Sequence, residues 1–536
     1  MTHSTLRPLA IALLAGMAHL AQPSMAATEQ TKASAAILLQ GFHWNAWNYN
    51  YGWYANLAGK AADMKALGIT HVWFPPPSDA ASNEGYLPRQ LNVLDSKYGS
   101  ESALKDAIGA LKNQGIHSVV DVVINHRVGT TNWADFTNPT WGCNAVVKED
   151  EWSGACGNSD TGDGYSAGRD LDHTQPQVQN DLKSWIGGRL KNLGFSGIRY
   201  DYSKGYGPQY AKMYHDAMTP DFCVGEIWTD LNYNDVDVHR KVLMNYVDGT
   251  GGTCGAFDFT TKGLLNQALT HGDYWRLKDG SGKPAGGIGW WAQKMVTFVD
   301  NHDTGPSERC GNGQSHWPVP CGQVMEGYAY ILTHPGIPSV YYAHVYDWNL
   351  RNNIKSLIDV RKAAGITSTS SVNIVAAQQG LYAAIVSGAD AQVAVKIGPN
   401  SWSPGNGWTL STSGTNYAVW VKGGSNNSCS VQVNFSIANA NTDASQSVYV
   451  VGNQAALGDW APGQGFKLTA QGAGNNVTWA GSKNLPCNSA VQYKYVKYNG
   501  TAIWEGNQPT VSGNREMATS NSHGGTMTRA DGNFRF

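Results

Sequence analysis

Asp121-Val-Val-Ile-Asn125-His126, Gly197-Ile-Arg199-Tyr-Asp201-Tyr-Ser-Lys204-Gly205, Gly225-Glu226-Ile-Trp228 and Phe298-Val-Asp300-Asn-His302-Asp303 share one pattern: an apolar run that ends in acids, histidines or an arginine. Working outward from them, short apolar runs at 37–41, 71–74, 118–124, 197–201, 223–227, 256–259, 295–300 and 338–342 alternate with stretches of helical period. Leu104, Ile108 and Leu111 form one such stretch, and Val178, Leu182, Ile186 and Leu190 another. Eight strands alternating with helices predict an α/β fold, a closed (β/α)8 TIM barrel. A doubly wound open sheet is the competing architecture, but no GxGxxG follows the first strand. Functional groups on such barrels gather at the C-terminal ends of the strands. There the four runs carry Asp201, Glu226 and Asp303, with Arg199, His126 and His302 beside them.

This residue set has a chemistry. Cleaving a glycosidic bond takes one acid to protonate the leaving oxygen and one carboxylate to meet the oxocarbenium-like carbon. An arginine beside a carboxylate favours its ionised form. Arg199 lies two residues before Asp201 on the same strand face, which makes Asp201 the natural nucleophile and Glu226, on the next strand, the natural acid. Asp303 is a third carboxylate able to bind sugar hydroxyls, and His126 and His302 can hydrogen-bond the same sugar.

The four runs resemble the signature segments of the α-amylase family, glycoside hydrolase family 13. Gly255-Ala-Phe-Asp-Phe-Thr-Thr-Lys, Thr297-Phe-Val-Asp-Asn-His-Asp-Thr-Gly and Tyr328-Ala-Tyr-Ile-Leu-Thr-His-Pro-Gly resemble its cereal-type members, and the likeness runs from about residue 36 to 422. It implies a retaining hydrolase of α-1,4-glucosidic bonds, with Asp201 as nucleophile, Glu226 as acid/base and Asp303 as transition-state stabiliser. It also implies Tyr86, in Asn83-Glu-Gly-Tyr-Leu-Pro, as the ring that stacks on the sugar at the cleavage point. Arg199, His126, His302 and Lys204 complete the implied substrate contacts. Many relatives carry Lys-His where this chain has Lys204-Gly205; cereal and maltotetraose-forming members share the glycine, and the difference bears on the product-side contacts of Lys204.

Residues 126–173 are rich in Gly, Asp, Asn and Trp, and a connection that long predicts a subdomain projecting after the third strand. Asp160-Thr-Gly-Asp163 and Asp170-Leu-Asp172-His173 supply hard oxygen ligands of the kind Ca²⁺ takes. The family resemblance implies Ca²⁺ between subdomain and barrel, held by Asn125, Asp160, Asp163, Asp170 and the carbonyl of Gly205.

The expected organisation is a signal peptide at 1–26, a catalytic barrel at 27–362, an antiparallel β domain at 363–422, a linker at 423–428 and a β-sandwich at 429–536. In the last segment Gly458-Asp459-Trp460, Tyr493-Lys494-Tyr495 and Ile503-Trp504-Glu505-Gly-Asn507 resemble the family 20 starch-binding module. That likeness implies Trp460, Lys494, Trp504 and Glu505 as glucan contacts. Trp290-Trp291 is a candidate for a further sugar platform.

Composition agrees with a sugar-handling exported protein. A net charge of −2 gives no reason to expect nucleic acid or an anionic membrane as partner. Twenty tryptophans and 25 tyrosines offer flat rings with a polar edge, suited to starch and α-1,4-glucan oligosaccharides. Arg7, an apolar stretch at 9–21 and Ser24-Met25-Ala26 form a secretory signal with its cleavage site, so the expected location is extracellular, as a monomer. Of the eight cysteines, Cys143 with Cys156, Cys310 with Cys321, Cys223 with Cys254, and Cys429 with Cys487 are candidate disulfides. The competing functions are a maltooligosaccharide-forming exo-amylase, a cyclodextrin-forming transglycosylase and a catalytically dead starch-binding protein; the complete acid set argues against the last.

Overall fold

Eight parallel strands close into a barrel in chain order: β1 (Leu38–Gln40), β2 (His71–Trp73), β3 (His117–Val122), β4 (Gly197–Tyr200), β5 (Phe222–Gly225), β6 (Gly255–Phe257), β7 (Met295–Phe298) and β8 (Ile337–Tyr341), which pairs back onto β1. The computed structural model describes residues 35–536 apart from 130–132, 134, 312–313, 423–429, 459, 473–476, 487–488, 508–512 and 520–524. The expected signal peptide and linker lie outside the described residues. All eight expected strands are present, but most are shorter at the C-terminal end than the apolar runs. The last residues of each run, Asp201 after β4 and Ile227 after β5 among them, turn out of the ladder to form the barrel mouth.

Helices follow the strands. In Glu101–Asn113 the predicted apolar stripe Leu104, Ile108 and Leu111 is buried, and Ser100 caps the start by accepting from the Ala103 N–H at 3.3 Å. The stripe from Val178 to Leu190 departs from one uniform α-helix. Pro176–Ser184 is α-helical, but Trp185–Leu190 widens into a π-helical segment. Gly187 lies there against Ala217 of the next helix, where a Cβ would come 2.5 Å from the Ala217 carbonyl oxygen, so close approach replaces regular winding.

The connection between β3 and β4 forms the expected subdomain. His126–Arg127 pairs with Arg169–Asp170, and Cys143 is bonded to Cys156. The bonds Cys223–Cys254 and Cys310–Cys321 are also formed. Cys429 and Cys487 lie outside the described residues.

After the barrel come five antiparallel strands, Ser371–Gln378, Leu381–Ser387, Gln392–Ile397, Thr409–Gly414 and Tyr417–Lys422, which share the barrel's apolar core. Buried Glu326, on the barrel helix Val324–Thr333, joins the two. It accepts from the Tyr274 hydroxyl at 2.7 Å, the Gly398 N–H at 3.0 Å and Asn416 Nδ2 at 3.0 Å. The C-terminal region is two further sheets around a core of its own, including Val433, Phe435, Trp479, Tyr493 and Tyr495. Among the described residues no helix is long and apolar enough to cross a membrane.

Candidate active site

Register sets the site. Asp121 of β3 pairs with Arg199 of β4, and Tyr200 pairs with Gly225 of β5, so Asp201 and Glu226 leave adjacent strands at matching positions. Single backbone bonds continue the ladder past its end: Asp201 N–H to Val122 O and Glu226 N–H to Tyr200 O, both 3.0 Å. The fully buried Arg199 is the hub. Its Nη1 donates to Asp121 Oδ1 at 2.8 Å and Asp201 Oδ1 at 2.7 Å, and its Nη2 lies 2.9 Å from Glu226 Oε1. Trp73 supports it from below, with the guanidinium carbon 4.8 Å from the ring centre. Asp121 Oδ2 is held by Trp73 Nε1 at 3.0 Å and the Tyr86 hydroxyl at 2.8 Å.

Tyr202, directly after Asp201, is a non-glycine residue in the left-handed region, with φ 42° and ψ 46°. That conformation costs about 1–3 kcal/mol, and it brings the Tyr202 N–H to 3.1 Å from Glu226 Oε2. The backbone beside one carboxylate therefore orients the other.

Asp201, Glu226 and Asp303 line a cleft of about 660 Å³ together with Trp44, Tyr86, Tyr165, Trp228, Lys204 and His302. The rings of Trp44 and Tyr86 lie within 1° of parallel, and those of Tyr86 and His302 within 6°. Gln40 Nε2 donates to His302 Nδ1 at 2.7 Å, and His302 Nε2 lies 3.2 Å from Asp303 Oδ2. Burial holds the His302 ring neutral, well below the usual imidazole range, and Arg199 adds to the effect. Trp44 and Tyr165 carry no sequence signal of their own; a short 3-10 helix, Trp44–Asn48, brings the first to the cleft and a loop the second.

Electrostatically, three carboxylates, Asp121, Asp201 and Glu226, surround one guanidinium, with Asp303 as a fourth acid in the same cleft. Burial works against the Arg199 charge, but Asp121, Glu226 and Asp201 outweigh it and hold the group firmly protonated. Burial raises Asp201 well above the usual carboxylate range; Arg199 opposes this, and the charges of Glu226 and Asp121 reinforce it. Asp303 is pushed up to about 8, by burial first and then by Glu226. Protons in such a cluster belong to the group as a whole.

Two of the expected substrate contacts also have structural partners. Arg199 is buried beside the acids and orients them. His126 is buried as well; its Nε2 bonds the Tyr86 carbonyl at 2.7 Å and its ring stacks on Tyr165 at 4.0 Å, so it positions both rings.

With this geometry in hand, comparison with known proteins is direct. The α-amylase catalytic domain matches residues 46–151, the α-amylase C-terminal β-sheet domain 363–421 and the starch binding domain 430–528. A probable alpha-amylase 2 of Arabidopsis thaliana is 44% identical over 402 residues, covering 72% of this chain and 94% of its own. The chain belongs to the α-amylase family. It is accordingly an α-1,4-glucan hydrolase carrying a starch-binding domain. A glucan 1,4-alpha-maltotetraohydrolase of Stutzerimonas stutzeri is 31% identical and covers 88% of this chain and 90% of its own. Among solved structures, a Gamma-CGTASE from Alkalophilic bacillus clarkii shares the fold with a TM-score of 0.52 at 16% identity, over 90% of this chain and 93% of its own.

In this α-amylase the subdomain meets the barrel through a group of oxygen donors. Among the described residues Asn125 Oδ1 is buried without a hydrogen-bond partner, while its Nδ2 donates to Asp170 Oδ1 at 3.2 Å. A Cβ on Gly205 would stand 1.9 Å from that same Oδ1, so the backbone there closes onto it. Asp170 is pushed up to about 7 by burial, with Glu151, Asp160 and Asp150 adding to the effect, and Asp150, Glu151 and Asp170 have oxygens within 4.8 Å of one another. Crowded acids around an unpartnered oxygen fit a hard cation. Asp150 and Glu151 escape the sequence reading, lying ten and nine residues before its Asp160 motif. Asp163 is mostly exposed, its carboxylate 3.7 Å from Lys204 Nζ.

In the starch-binding domain Trp460 and Trp504 are partly exposed, with ring centres 6.3 Å apart. Lys494 and Glu505 are buried. Both Glu505 oxygens take bonds from the Arg515 guanidinium, and Oε1 also accepts from the Tyr495 N–H, so Glu505 braces the loop after Trp504. Lys494 Nζ reaches the Glu505 carbonyl at 3.4 Å. Trp290 is 42% exposed and carries the Arg240 guanidinium 4.0 Å from its ring centre.

The raised value of Asp303 has a consequence for stability. A carboxyl whose folded pKa exceeds its unfolded one contributes stability below the unfolded value, and that contribution is lost as pH rises through the folded value. Between about pH 4 and 8, Asp303 therefore costs the fold progressively more. Asp303→Asn should raise the melting temperature at pH 8 by a few degrees and leave it almost unchanged at pH 4. Melting curves that show no pH-dependent gain would contradict the assigned electrostatics.

Proposed function

We propose that this α-amylase is a secreted enzyme that cleaves starch by double displacement with retention of configuration. The observation that carries the reading is the single guanidinium shared by Asp201 and Glu226, each one residue past the paired ends of β4 and β5. Adjacent strands lie about 4.8 Å apart, which supports the close carboxylate spacing, ~5–5.5 Å, of retaining enzymes over the wider spacing of inverting ones. Asp201 attacks the anomeric carbon while Glu226 gives its proton to the leaving oxygen. Glu226 then takes a proton from water as that water displaces the sugar from Asp201. Asp303 and His302 hold the hydroxyls of the reacting sugar, Tyr86 and Trp44 offer it a ring face, and Lys204 meets the product side.

Asp201→Asn and Glu226→Gln should each lower kcat by roughly 10³-fold or more with folding retained. Product should appear first as the α-anomer by NMR, and initial β-anomer would exclude retention. A second reading, release of a fixed maltotetraose product, draws on the likeness to the Stutzerimonas stutzeri protein along nearly its whole length; a time course of product lengths from soluble starch separates it from random cleavage.

We further propose Ca²⁺ as the cation of the subdomain junction, with Asn125, Asp160, Asp170 and the Gly205 carbonyl as ligands and Asp163, Asp150 and Glu151 near. Bound there, the ion would neutralise the acids and tie the subdomain to the ends of β3 and β4. A ligand held only by the folded state adds about 4 kcal/mol at a thousandfold excess over Kd. Chelator should lower the melting temperature of the wild type, and Asp170→Ala should remove most of the calcium-dependent increment. Equal melting with and without chelator would remove the ion from this account.

Trp460 and Trp504 are the proposed granule contacts, and two stacking contacts of roughly 0.5–1.5 kcal/mol each correspond to about five- to 150-fold in affinity. Trp460→Ala combined with Trp504→Ala should weaken binding to granular starch by that factor and leave turnover of short dextrins unchanged. Granule binding equal to wild type by a folded double variant would assign the grip elsewhere.

A further inference from the structure

A second group of ligating side chains lies at the N-terminal end of the barrel strands, opposite the cleft. His71 and His117 open β2 and β3 and are paired in that ladder. Asp221 immediately precedes β5; its N–H donates to Ser196 O at 2.8 Å, and the Ser196 N–H donates to Ser118 O at 3.0 Å. Strand register thus draws three distant residues to one spot. The imidazole rings lie 4.9 Å apart and within 23° of parallel, and His117 Nδ1 is paired with Asp221 Oδ2. One donor atom from each residue lies within 4.8 Å of the other two. His71 is buried, with Phe222 packed 5.3 Å from its ring, whereas the side chains of His117 and Asp221 are 43% and 38% exposed.

We propose that His71, His117 and Asp221 form a site for a divalent transition-metal ion of the zinc class. Two imidazoles and one carboxylate are borderline-soft and hard donors in the mixture zinc takes, and a poor match to calcium, which prefers oxygen throughout. The surroundings are those of a ligating histidine. Thr70 Oγ1 accepts from the Ile37 N–H at 2.8 Å and donates to Ile37 O at 3.1 Å, so the contact at 2.8 Å from His71 Nδ1 is a donation by the ring. His71 Nε2 then keeps its lone pair, and the Nδ1 bond fixes the ring, as outer hydrogen bonds do for metal-bound imidazoles. Ligands ~2.0–2.2 Å from a tetrahedral ion stand about 3.4 Å apart. The His117–Asp221 contact must open to that span, a small turn for two exposed side chains, and the fourth position faces water. Occupancy would staple β2, β3 and the turn before β5. That end of a barrel serves stability and not chemistry.

The test is calorimetric titration of Zn²⁺ into the full-length protein kept saturated with Ca²⁺, with melting curves and dextrin turnover in parallel. The expected result is one wild-type equivalent bound more tightly than about 0.1 mM, a raised melting temperature and unchanged kcat. Both the binding and the thermal increment should be lost in His117→Ala and in Asp221→Ala, with circular dichroism confirming their fold. Wild type with no such equivalent, or variants that bind and melt like wild type in zinc, would reduce the group to an ion pair and overturn the proposal.

Discussion

The catalytic centre depends on one buried guanidinium. Arg199 has no access to water, so its charge persists only because Asp121, Asp201 and Glu226 surround it, and those carboxylates crowd together only because it lies between them. Removing one partner of a buried ionic group typically costs about 3–5 kcal/mol, and here the loss would fall on several acids at once. The barrel provides the geometry. Short strands in fixed register aim Asp121 and Arg199 into the same layer, while the acids that meet substrate stand just beyond the ladder, where side chains can turn toward the cleft.

Around that centre, rigidity is layered. Asp300, below the loop that carries Asp303, is paired with fully buried Lys262 at 2.7 Å and accepts from the Val319 N–H at 3.2 Å. His126 holds the backbone of Tyr86, and Tyr86 in turn bonds Asp121. Tyr202 is held in a backbone conformation that few side chains adopt. Such strain persists only where the surroundings over-determine it, and its return is an N–H aimed at Glu226.

Much of this is legible in the sequence, for physical reasons. A strand buried on both sides must be a continuous apolar run, so an acid at its end stands out, and four such ends in order define both barrel and site. Cys143 with Cys156 and Cys310 with Cys321 are close enough in sequence to suggest themselves as pairs, whereas Cys223 and Cys254, 31 residues apart, are joined by the fold. What the sequence hides is set by contacts between distant segments. Trp44 enters the cleft at the start of a short 3-10 helix and Tyr165 on a loop. Asp150 and Glu151 join Asp170 only because the subdomain folds back on itself. Burial is hidden too: nothing local to Lys494-Tyr495 or Trp504-Glu505 says that Arg515 will claim the glutamate. Val178 to Leu190 keeps a helical stripe whether the backbone winds as α or π, so the widening at Trp185–Leu190 leaves no trace in the pattern.

The separation of apolar cores has a further consequence. The barrel and the five-stranded sheet after it share one core, joined at Glu326, whereas the last two sheets enclose another. Cooperativity extends only as far as shared packing does. Heating should therefore resolve two heat-absorption peaks, one for each core. Evolution can likewise retune attachment to the granule without disturbing the machinery of hydrolysis, since a substitution that loosens one folding unit leaves the other's free energy unchanged.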